Sequence, residues 1–499
     1  MAARTPRIQL SKSRYVAGLQ CHKLLWWKVH EANAKELIPD PVARNRFEQG
    51  DEVTRVARGR FPGGQLIDLP PFQYDNRIAA TREALTGNAP AIFEATFQAD
   101  ETVAAVDVLE RVPGGWSVIE VKSATKVKPE YLPDLAIQVH VLRRSGLAVV
   151  KAEVMHLNSA CRFPDLGNLF TRVDVTKEVE AVLLGVPPEL AAQLAMLRGR
   201  LPDVAIGEHC TKPYDCPFLE RCWPDVPADH VSSLYRVGRV KALAYEADGV
   251  SRIGDLPSDF EMNVIHQRQV RAVTSGRMVV EPTLARALEQ FVSPIAYLDF
   301  ETVGYAVPRW NGCRPWQNVP VQFSVHIEQG RNRLAHHQWI ATGPEDPRPE
   351  LARAVVKACA GATCVVAYYA SFERDCLLQL AEVVPHLSSE LIDIAARLVD
   401  LLPVVRNHVY HPDFGGGFSI KQVLPALVPA LSYRDLYFQD GMLASLELMR
   451  LMQQQERIPP AERTKLRDDL LRYCERDTVA MVKLLERLRG MVGAQLELF

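Results

Sequence analysis

In the first half of the chain, the pattern of apolar and polar positions has the two-residue period of strands in some segments and the helical period in others. Three short segments have the two-residue period and the turn signals of strands: 91–97, 103–110 and 116–122. A Pro-Gly-Gly turn at 113–115 separates the last two of these strands. Helical spacing at 13–29 and 132–144 flanks the three strands. We therefore expect strands and helices in one folded layer structure.

A second set of strands and helices begins near residue 291. The predicted strands are 294–301, 319–327 and 363–369, and the predicted helices are about 372–383 and 464–488. Their alternation again indicates an α/β fold. Between the two sets, residues 226–290 predict a small helical connector that weakly resembles a helix-hairpin-helix element, with a plain connector as the alternative.

Composition narrows the class of protein. The chain has 499 residues, of which 47% are hydrophobic and 24% charged, and its net charge of −2 excludes a polybasic binder. No apolar run approaches the roughly 20 residues that span a bilayer, and the first residues lack the apolar core of a signal peptide. We expect a cytoplasmic protein of several domains that has no membrane segment.

Acidic and basic side chains converge in the predicted hairpin of the first half. Asp107 lies on one strand, and Glu120 and Lys122 share a face of the next strand because they are two residues apart. Two carboxylates suit Mg²⁺ or Mn²⁺, and the lysine suits the charge of a reacting phosphate. Glu94 is a further candidate metal ligand, and Gln138 a positioning residue. The alternative is an ordinary surface Glu–Lys pair.

Four cysteines form a candidate ligand set: Cys21, Cys210, Cys216 and Cys222. The last three are spaced six residues apart, so the CxxC pairs of zinc ribbons are absent. Four thiolates suit an iron–sulfur cluster or a Cys₄ zinc site. The alternative is four unrelated buried cysteines.

These motifs, in this order over about residues 8–225, resemble the iron–sulfur branch of RecB-like PD-(D/E)XK nucleases. The resemblance implies a restriction-endonuclease-like domain at 1–225, with a [4Fe–4S] cluster on the four cysteines and a metal ion on Asp107 and Glu120. The sequence departs from that family in two ways: no histidine accompanies Glu48 on the early helix, and Leu142 replaces the tyrosine of the Gln-x-x-x-Tyr motif.

A second carboxylate set lies in the later half. Asp299 and Glu301 share a face of an apolar strand, Glu373 begins a helix, and Tyr473 and Asp477 share a face of a late helix. Four carboxylates can hold two divalent ions, and a tyrosine hydroxyl can orient water. The alternative for the last pair is a packed tyrosine beside a surface aspartate.

In order, these motifs resemble the RNase H-like DEDD exonucleases that carry the tyrosine (DEDDy). The resemblance covers 291–490 and implies 3′→5′ exonuclease activity, with Asp299, Glu301, Glu373 and Asp477 as metal ligands and Tyr473 as the residue that positions water. Glu373 stands where the family has aspartate. Asp375 and Asp400 are the alternative ligands.

Two further segments suggest binding roles. The triple glycine at 415–417 and Lys421 suit a phosphate contact, with a flexible loop before a Ser419 helix cap as the alternative. At 491–499 we expect a tail beyond the last helix. Its residues resemble the peptide that bacterial proteins insert into the sliding clamp: Gln495, Leu496, Leu498 and Phe499.

Together the two halves resemble a bacterial two-domain family that joins a RecB-like PD-(D/E)XK nuclease to a DEDDy exonuclease. The leading hypothesis is a Mg²⁺- or Mn²⁺-dependent nuclease that cleaves DNA at two sites during repair or processing. One alternative is an RNA-processing exonuclease. The other is a nucleic-acid-binding adaptor with a degenerate nuclease site.

Overall fold

The computed structural model describes residues 9–257, 259–330 and 333–496. The chain divides into two compact units. Unit 1 contains the described residues of Met1–Pro224 and of Tyr305–Trp316. Unit 2 contains the described residues of Asp225–Gly304 and of Gln317–Phe499. The segment 226–290 therefore belongs to unit 2, and the short segment 305–316 belongs to unit 1 although it interrupts unit 2 in the sequence.

Unit 1 contains seven strands and eight α-helices within the described residues. In chain order they are β1 (Leu10–Ser11), α1 (Lys12–Gln20), α2 (His22–His30), α3 (Pro41–Arg58), β2 (Gln65–Leu66), α4 (Tyr74–Thr86), β3 (Ala91–Ala99), β4 (Thr102–Val112), β5 (Gly115–Lys122), α5 (Tyr131–Arg144), β6 (Val149–Leu157), β7 (Phe170–Asp174), α6 (Thr176–Leu183), α7 (Val186–Leu197) and α8 (Leu219–Cys222).

The strands of unit 1 form one mixed sheet in the order β2-β3-β4-β5-β6-β7, with β1 beside β4. Strands β3, β4 and β5 are antiparallel neighbours, and β6 runs parallel to β5 after the crossover helix α5. Alternate residues of β4 and β5 pack against α5, where Leu109, Val118 and Leu135 are fully buried. This packing fixes the face on which the polar residues of the hairpin lie.

Unit 2 contains the remaining elements. They are α9 (Gly238–Ala247), α10 (Val264–Ser275), β8 (Val279–Val280), α11 (Leu284–Leu288), β9 (Ile295–Gly304), β10 (Asn318–Glu328), β11 (Leu334–Ile340), α12 (Arg348–Ala358), β12 (Cys364–Ala367), α13 (Ser371–Val383), α14 (Ser388–Ala396), β13 (Leu398–Asp400), α15 (Leu401–His408), β14 (Val409–Tyr410), α16 (Ile420–Leu427), α17 (Gly441–Gln453) and α18 (Pro460–Leu496).

The main sheet of unit 2 has the order β11-β10-β9-β12-β13. Strands β11, β10 and β9 are antiparallel, whereas β12 and β13 run parallel to β9. Helices α12, α13 and α14 bury one apolar face, with Leu351 and Leu377 fully enclosed. The long helix α18 contacts β9 and β10. The mixed α/β class expected from the sequence is therefore present in both units.

Two helix predictions were wrong in extent. The helix expected at 13–29 is broken at Cys21, whose extended backbone (φ −163°, ψ 124°) separates α1 from α2. The last helix was expected to end near 488 and to be followed by a free tail. Instead α18 continues to Leu496, because its apolar stripe extends through buried Leu488 and Met491.

Candidate catalytic and metal sites

Three carboxylates meet where β9 and α18 pack together in unit 2. Asp299 and Glu301 extend from the same face of β9, as their two-residue spacing predicts, and Asp477 reaches them from α18. One carboxylate oxygen from each lies within 4.8 Å of the other two. Such a group can hold a divalent cation with oxygen ligands.

Glu373 supplies a fourth carboxylate near this group, from the first turn of α13. Its side chain is 3% exposed, and its Oε2 atom has no hydrogen-bond partner among the described residues. Burial, with the nearby charges of Asp400 and Asp477, raises the pKa of Glu373 to about 8. An enclosed carboxylate oxygen without a donor is the kind of atom that a metal ion would satisfy.

The two alternative ligands have other surroundings. Asp375 is exposed on α13. Asp400 caps α15, and its Oδ1 accepts the N–H groups of Leu402 and Tyr369, each at 3.0 Å. Glu373, the residue that the sequence favoured, is therefore the better placed of the three candidates.

Burial and charge repulsion both act on this group, which we call the carboxylate site (Asp299, Glu301, Glu373 and Asp477). Burial, followed by the charge of Asp477, raises the pKa values of Asp299 and Glu301 well above their usual range. Burial also raises the pKa of Asp477, to about 6, although the Tyr433 hydroxyl and Lys421 oppose this effect. Bringing these carboxylates together without a cation is thus unfavourable, and a divalent ion would relieve the repulsion.

Polar side chains beside the carboxylate site complete a hydrogen-bond network. Lys421 Nζ donates to the Tyr473 hydroxyl at 2.9 Å and to the Gln439 carbonyl at 2.7 Å. The Tyr433 hydroxyl donates to Asp477 Oδ1. The sequence suggested Lys421 only as a phosphate contact, and it gave no signal for Tyr433, which is 44 residues from its partner.

The triple glycine before α16 has a packing role. Gly416 has a left-handed backbone (φ +85°), and a Cβ atom there would lie 1.9 Å from the Ser233 carbonyl oxygen. Only glycine fits this close approach. The phosphate contact considered for 415–417 stays a prediction.

In unit 1 the β4–β5 hairpin brings Asp107 and Glu120 together. At the end of the β4–β5 register, Val108 is paired with Ile119. Asp107 and Glu120 are the next residues along the two strands, so they lie beside each other. Asp107 Oδ2 accepts the Val121 N–H at 2.8 Å. Burial and the adjacent Glu120 charge raise the pKa of Asp107 to about 7.

Glu120 is 3% exposed and is surrounded by donors. Its oxygens accept from Lys12 Nζ (3.0 and 3.1 Å), Lys122 Nζ (2.7 Å) and Gln138 Nε2 (2.8 Å). Burial alone would raise the pKa of Glu120, but the two ammonium groups hold it well below its usual range. Lys122 also donates to Asp134 at 2.9 Å. Lys12 and Asp134 are members of this site that the sequence did not reveal.

The expected ligand Glu94 is engaged elsewhere. Its carboxylate pairs with Arg58 at 3.0 Å and Arg77 at 3.1 Å. Among the described residues, it does not form a group of three possible ligand atoms within 4.8 Å with Asp107 and Glu120. The structure therefore joins Asp107, Glu120, Lys122 and Gln138 but does not add Glu94 to them.

The four candidate cysteines line one pocket with apolar walls. Cys21 lies at the break between α1 and α2, and the other three cysteines lie in the segment 210–222. Leu24, Trp27 and Phe218 form part of the wall. All four thiols are free. Burial raises the pKa of the Cys216 thiol to about 11, with further contributions from the other three cysteines. No three of their sulfur atoms lie within 4.8 Å of one another.

The clamp-binding prediction falls at the edge of the structure. Gln495 and Leu496 are the last residues of α18, and Leu498 and Phe499 lie outside the described residues. Across the part of the chain that is described, no single helix is long and apolar enough to cross a membrane. The bent pair α6–α7 meets the criteria of length and composition only when its two helices are taken together.

A family model and a solved structure are similar to parts of this chain. The sequence model of a domain of unknown function (DUF2779) matches residues 296–419, a stretch that contains Asp299, Glu301 and Glu373. No curated protein matches the sequence. A solved structure titled "Crystal structure of SSO0001" is 12% identical, with a TM-score of 0.20, and the match covers 44% of this chain and 89% of that one. A TM-score this low gives no basis for transferring a fold.

Proposed function

We propose that this protein is a metal-dependent nuclease that hydrolyses phosphodiester bonds of DNA, with a 3′→5′ exonuclease site in unit 2. The observation that carries the proposal is the carboxylate site, in which Asp299, Glu301 and Asp477 converge within 4.8 Å and Glu373 is buried nearby. Mutually repelling acids that are buried or partly buried are unfavourable in a purely structural role, but they fit Mg²⁺ or Mn²⁺.

A divalent ion bound there supplies Lewis-acid activation of water and stabilisation of the leaving oxygen. The four carboxylates would hold it. Lys421 orients the Tyr473 hydroxyl by donating to its oxygen, which leaves the hydroxyl proton free to point at a water or a phosphate oxygen. Tyr433 holds Asp477 in place through its hydrogen bond.

The topology of unit 2 supports the RNase H-like assignment. Three antiparallel strands (β11, β10, β9) are followed in the sheet by two strands parallel to β9, which is the arrangement expected of that fold. The first acidic pair lies on the central strand, and the last acid lies on a late helix that packs against it. Because one fold can host many activities, the proposed activity rests on the carboxylate site and not on the fold.

We propose unit 1 as the PD-(D/E)XK-like half. Its β3-β4-β5 meander, crossover helix α5 and parallel β6 support this fold. The ion pair between Lys12 and Glu120 favours a second candidate function, because the Lys12 ammonium binds both oxygens of the carboxylate that a metal ion would use. In that case unit 1 binds nucleic acid as an adaptor without cleaving it.

A cleavage assay separates these functions. Purified protein is incubated with Mg²⁺ or Mn²⁺ and with end-labelled single- and double-stranded DNA and RNA, together with the Glu120→Ala and Asp299→Ala variants and the double variant. DNA products that persist in Glu120→Ala and disappear in Asp299→Ala support the exonuclease in unit 2. Products from RNA alone support the RNA alternative, and an absence of metal-dependent products with every substrate leaves only the adaptor.

We further propose that Cys21, Cys210, Cys216 and Cys222 hold a [4Fe–4S] cluster. A zinc ion with Zn–S bonds of about 2.3 Å would place its sulfur ligands about 3.8 Å apart. All four thiols line one pocket, and no three of their sulfur atoms lie within 4.8 Å of one another, so the pocket does not have the geometry of a preformed zinc site.

The cluster proposal predicts a brown protein after anaerobic purification, with about four iron atoms per chain. The Cys216→Ser variant should lose most of this iron because it removes one thiolate ligand. Cys161→Ser, which changes a buried cysteine elsewhere in unit 1, should retain the iron. Elemental analysis that finds zinc without iron in the wild-type protein would contradict the assignment.

We also propose that the chain end binds the bacterial sliding clamp. In such a contact, Leu498 and Phe499 would bury apolar area in a groove of the clamp, while Gln495 would hydrogen-bond at its edge. The double variant Leu498→Ala/Phe499→Ala should bind immobilised clamp at least about 10-fold more weakly, as expected when two apolar anchors are removed. Glu497→Ala serves as the matched control. Equal capture of the double variant and the wild-type protein would refute this proposal.

A further inference from the structure

Two histidines and a glutamate form a second group of possible metal ligands in unit 2. His326 of β10 and His336 of β11 are directly opposite in the antiparallel register, and their rings are stacked with centroids 4.3 Å apart. Glu475 of α18 reaches the same place, with Oε1 3.7 Å from His336 Nδ1. One ligand atom from each of the three residues lies within 4.8 Å of the others.

A chain of two hydroxyl groups links the two imidazole rings. Thr478 Oγ1 contacts His326 Nδ1 and the Ser324 hydroxyl, each at 2.8 Å, and the Ser324 hydroxyl contacts His336 Nε2 at 3.0 Å. Thr478 Oγ1 also lies 2.9 Å from the Glu475 carbonyl oxygen, which can accept its proton. When Thr478 donates there, both hydroxyls can accept from the rings.

With this arrangement of protons, the remaining ring nitrogens, His326 Nε2 and His336 Nδ1, carry lone pairs. A metal-binding histidine characteristically donates its other N–H to a fixed acceptor, and Ser324 and Thr478 offer such acceptors to the two rings. We infer that His326, His336 and Glu475 form a binding site for a late first-row divalent cation such as Zn²⁺, Co²⁺ or Ni²⁺. Two imidazoles and one carboxylate suit these ions, whereas Mg²⁺ prefers oxygen ligands alone.

The burial of the three residues agrees with this role. His326 is only 8% exposed, but the side chains of His336 and Glu475 are 23% and 41% exposed, so an ion can enter from the Glu475 side.

This site goes beyond the proposed nuclease function and does not depend on it. It shares no ligand with the carboxylate site, although Glu475 and Asp477 are only two residues apart on α18. The two groups also differ in ligand type, so different ions should fill them.

Cobalt titration of the full-length protein tests the inference. Co²⁺ bound by nitrogen and oxygen gives weak visible d–d bands, whereas thiolate ligands add an intense charge-transfer band, so binding at the cysteines is recognised separately. Wild-type protein should bind Co²⁺ through nitrogen and oxygen, and the His326→Gln and His336→Gln variants should lose at least about 100-fold in affinity, because each removes a direct ligand.

The next residue on β11 provides the matched control. His337 is exposed and points to the opposite face of the strand, so His337→Gln should bind Co²⁺ like the wild-type protein. The Asp299→Asn variant should also keep this signal even if the carboxylate site is lost. Unchanged affinity in His336→Gln, or an equal loss in His337→Gln, would overturn the inference.

Two milder variants keep the test decisive if the histidine variants fold poorly. Ser324→Ala and Thr478→Val retain all three ligands but remove the acceptors that orient the rings. Each should weaken Co²⁺ binding about 10- to 100-fold. Binding that is unaffected by either change, in protein with a normal circular dichroism spectrum, would also contradict the proposed site.

Discussion

Replacing Asp299 by Asn should lower the rate of metal-dependent nucleotide release from DNA by about 10³-fold or more. Asp299 lies at the centre of the carboxylate site, within 4.8 Å of Glu301 and Asp477. The amide keeps nearly the same shape but removes the charge that would attract a divalent ion. A loss of this size corresponds to about 4 kcal/mol of transition-state stabilisation, which is within the range that a catalytic metal ion supplies.

The matched control for this experiment is Asp375→Asn. Asp375 is exposed on α13, so its substitution should leave the rate within about 2-fold of the wild-type value, as is usual for exposed positions. The rates are measured with 5′-labelled DNA and Mn²⁺ over a range of metal concentrations. A reduction of less than 10-fold in Asp299→Asn at saturating Mn²⁺ would mean that this carboxylate does not support catalysis.

Replacing Glu373 by Gln should make the metal-free protein more stable at pH 8 than the wild-type protein. Burial raises the pKa of Glu373 from 4.5 to about 8. Its carboxyl group ionises readily in the unfolded chain but reluctantly in the folded one. As pH rises through this interval the unfolded state releases the proton first, so the free energy of unfolding falls.

The expected difference between Glu373→Gln and the wild-type protein is on the order of 3 kcal/mol at pH 8, and it should disappear near pH 4. Urea unfolding in EDTA at several pH values measures this difference. Asp375→Asn is again the control, because its exposed carboxylate should give no comparable effect. Addition of Mn²⁺ should stabilise the wild-type protein more than the glutamine variant. A stability difference that is the same at pH 4 and pH 8 would contradict the electrostatic explanation.

The sequence predicted the local parts of both sites well. Strands β3, β4 and β5 lie within a few residues of their predicted bounds, because a strong alternation and a Pro-Gly-Gly turn define a hairpin. The spacing of Asp299 and Glu301 similarly predicts a shared face on β9. Their approach to Asp477 was an expectation from motif order, and the packing of α18 against β9 produces it.

Contacts that depend on distant packing left no local signal. Lys12 is 108 residues from Glu120, and only the placement of α1 brings them together. The histidine pair depends on the register of β10 with β11. Since the sequence analysis did not identify β11 as a strand, it could not place His336 opposite His326. Periodicity describes single elements and does not define how strands pair at a distance.

The boundary between the two units also depends on packing between residues that are distant in the sequence. Residues 305–316 follow β9 directly, and the sequence assigned them to the second domain. Their side chains instead pack in unit 1, where Ala306 and Val307 join a cluster with Val53 and Phe61. The Ala306 N–H donates to Gln49 at 2.7 Å. Its composition, with Pro308, Gly312 and Pro315, indicates a loop but does not indicate the unit against which the loop packs.

The acids of unit 2 gather, we propose, to hold divalent cations, and anomalous scattering tests this role most directly. Crystals of the full-length protein are soaked in Mn²⁺, and diffraction data are collected near the manganese absorption edge. The expected result is an anomalous peak bonded to Asp299, Glu301 and Asp477 that is absent from crystals of the Asp299→Asn variant. A wild-type map without a peak among these three carboxylates, at a Mn²⁺ concentration that supports cleavage in solution, would contradict the claim.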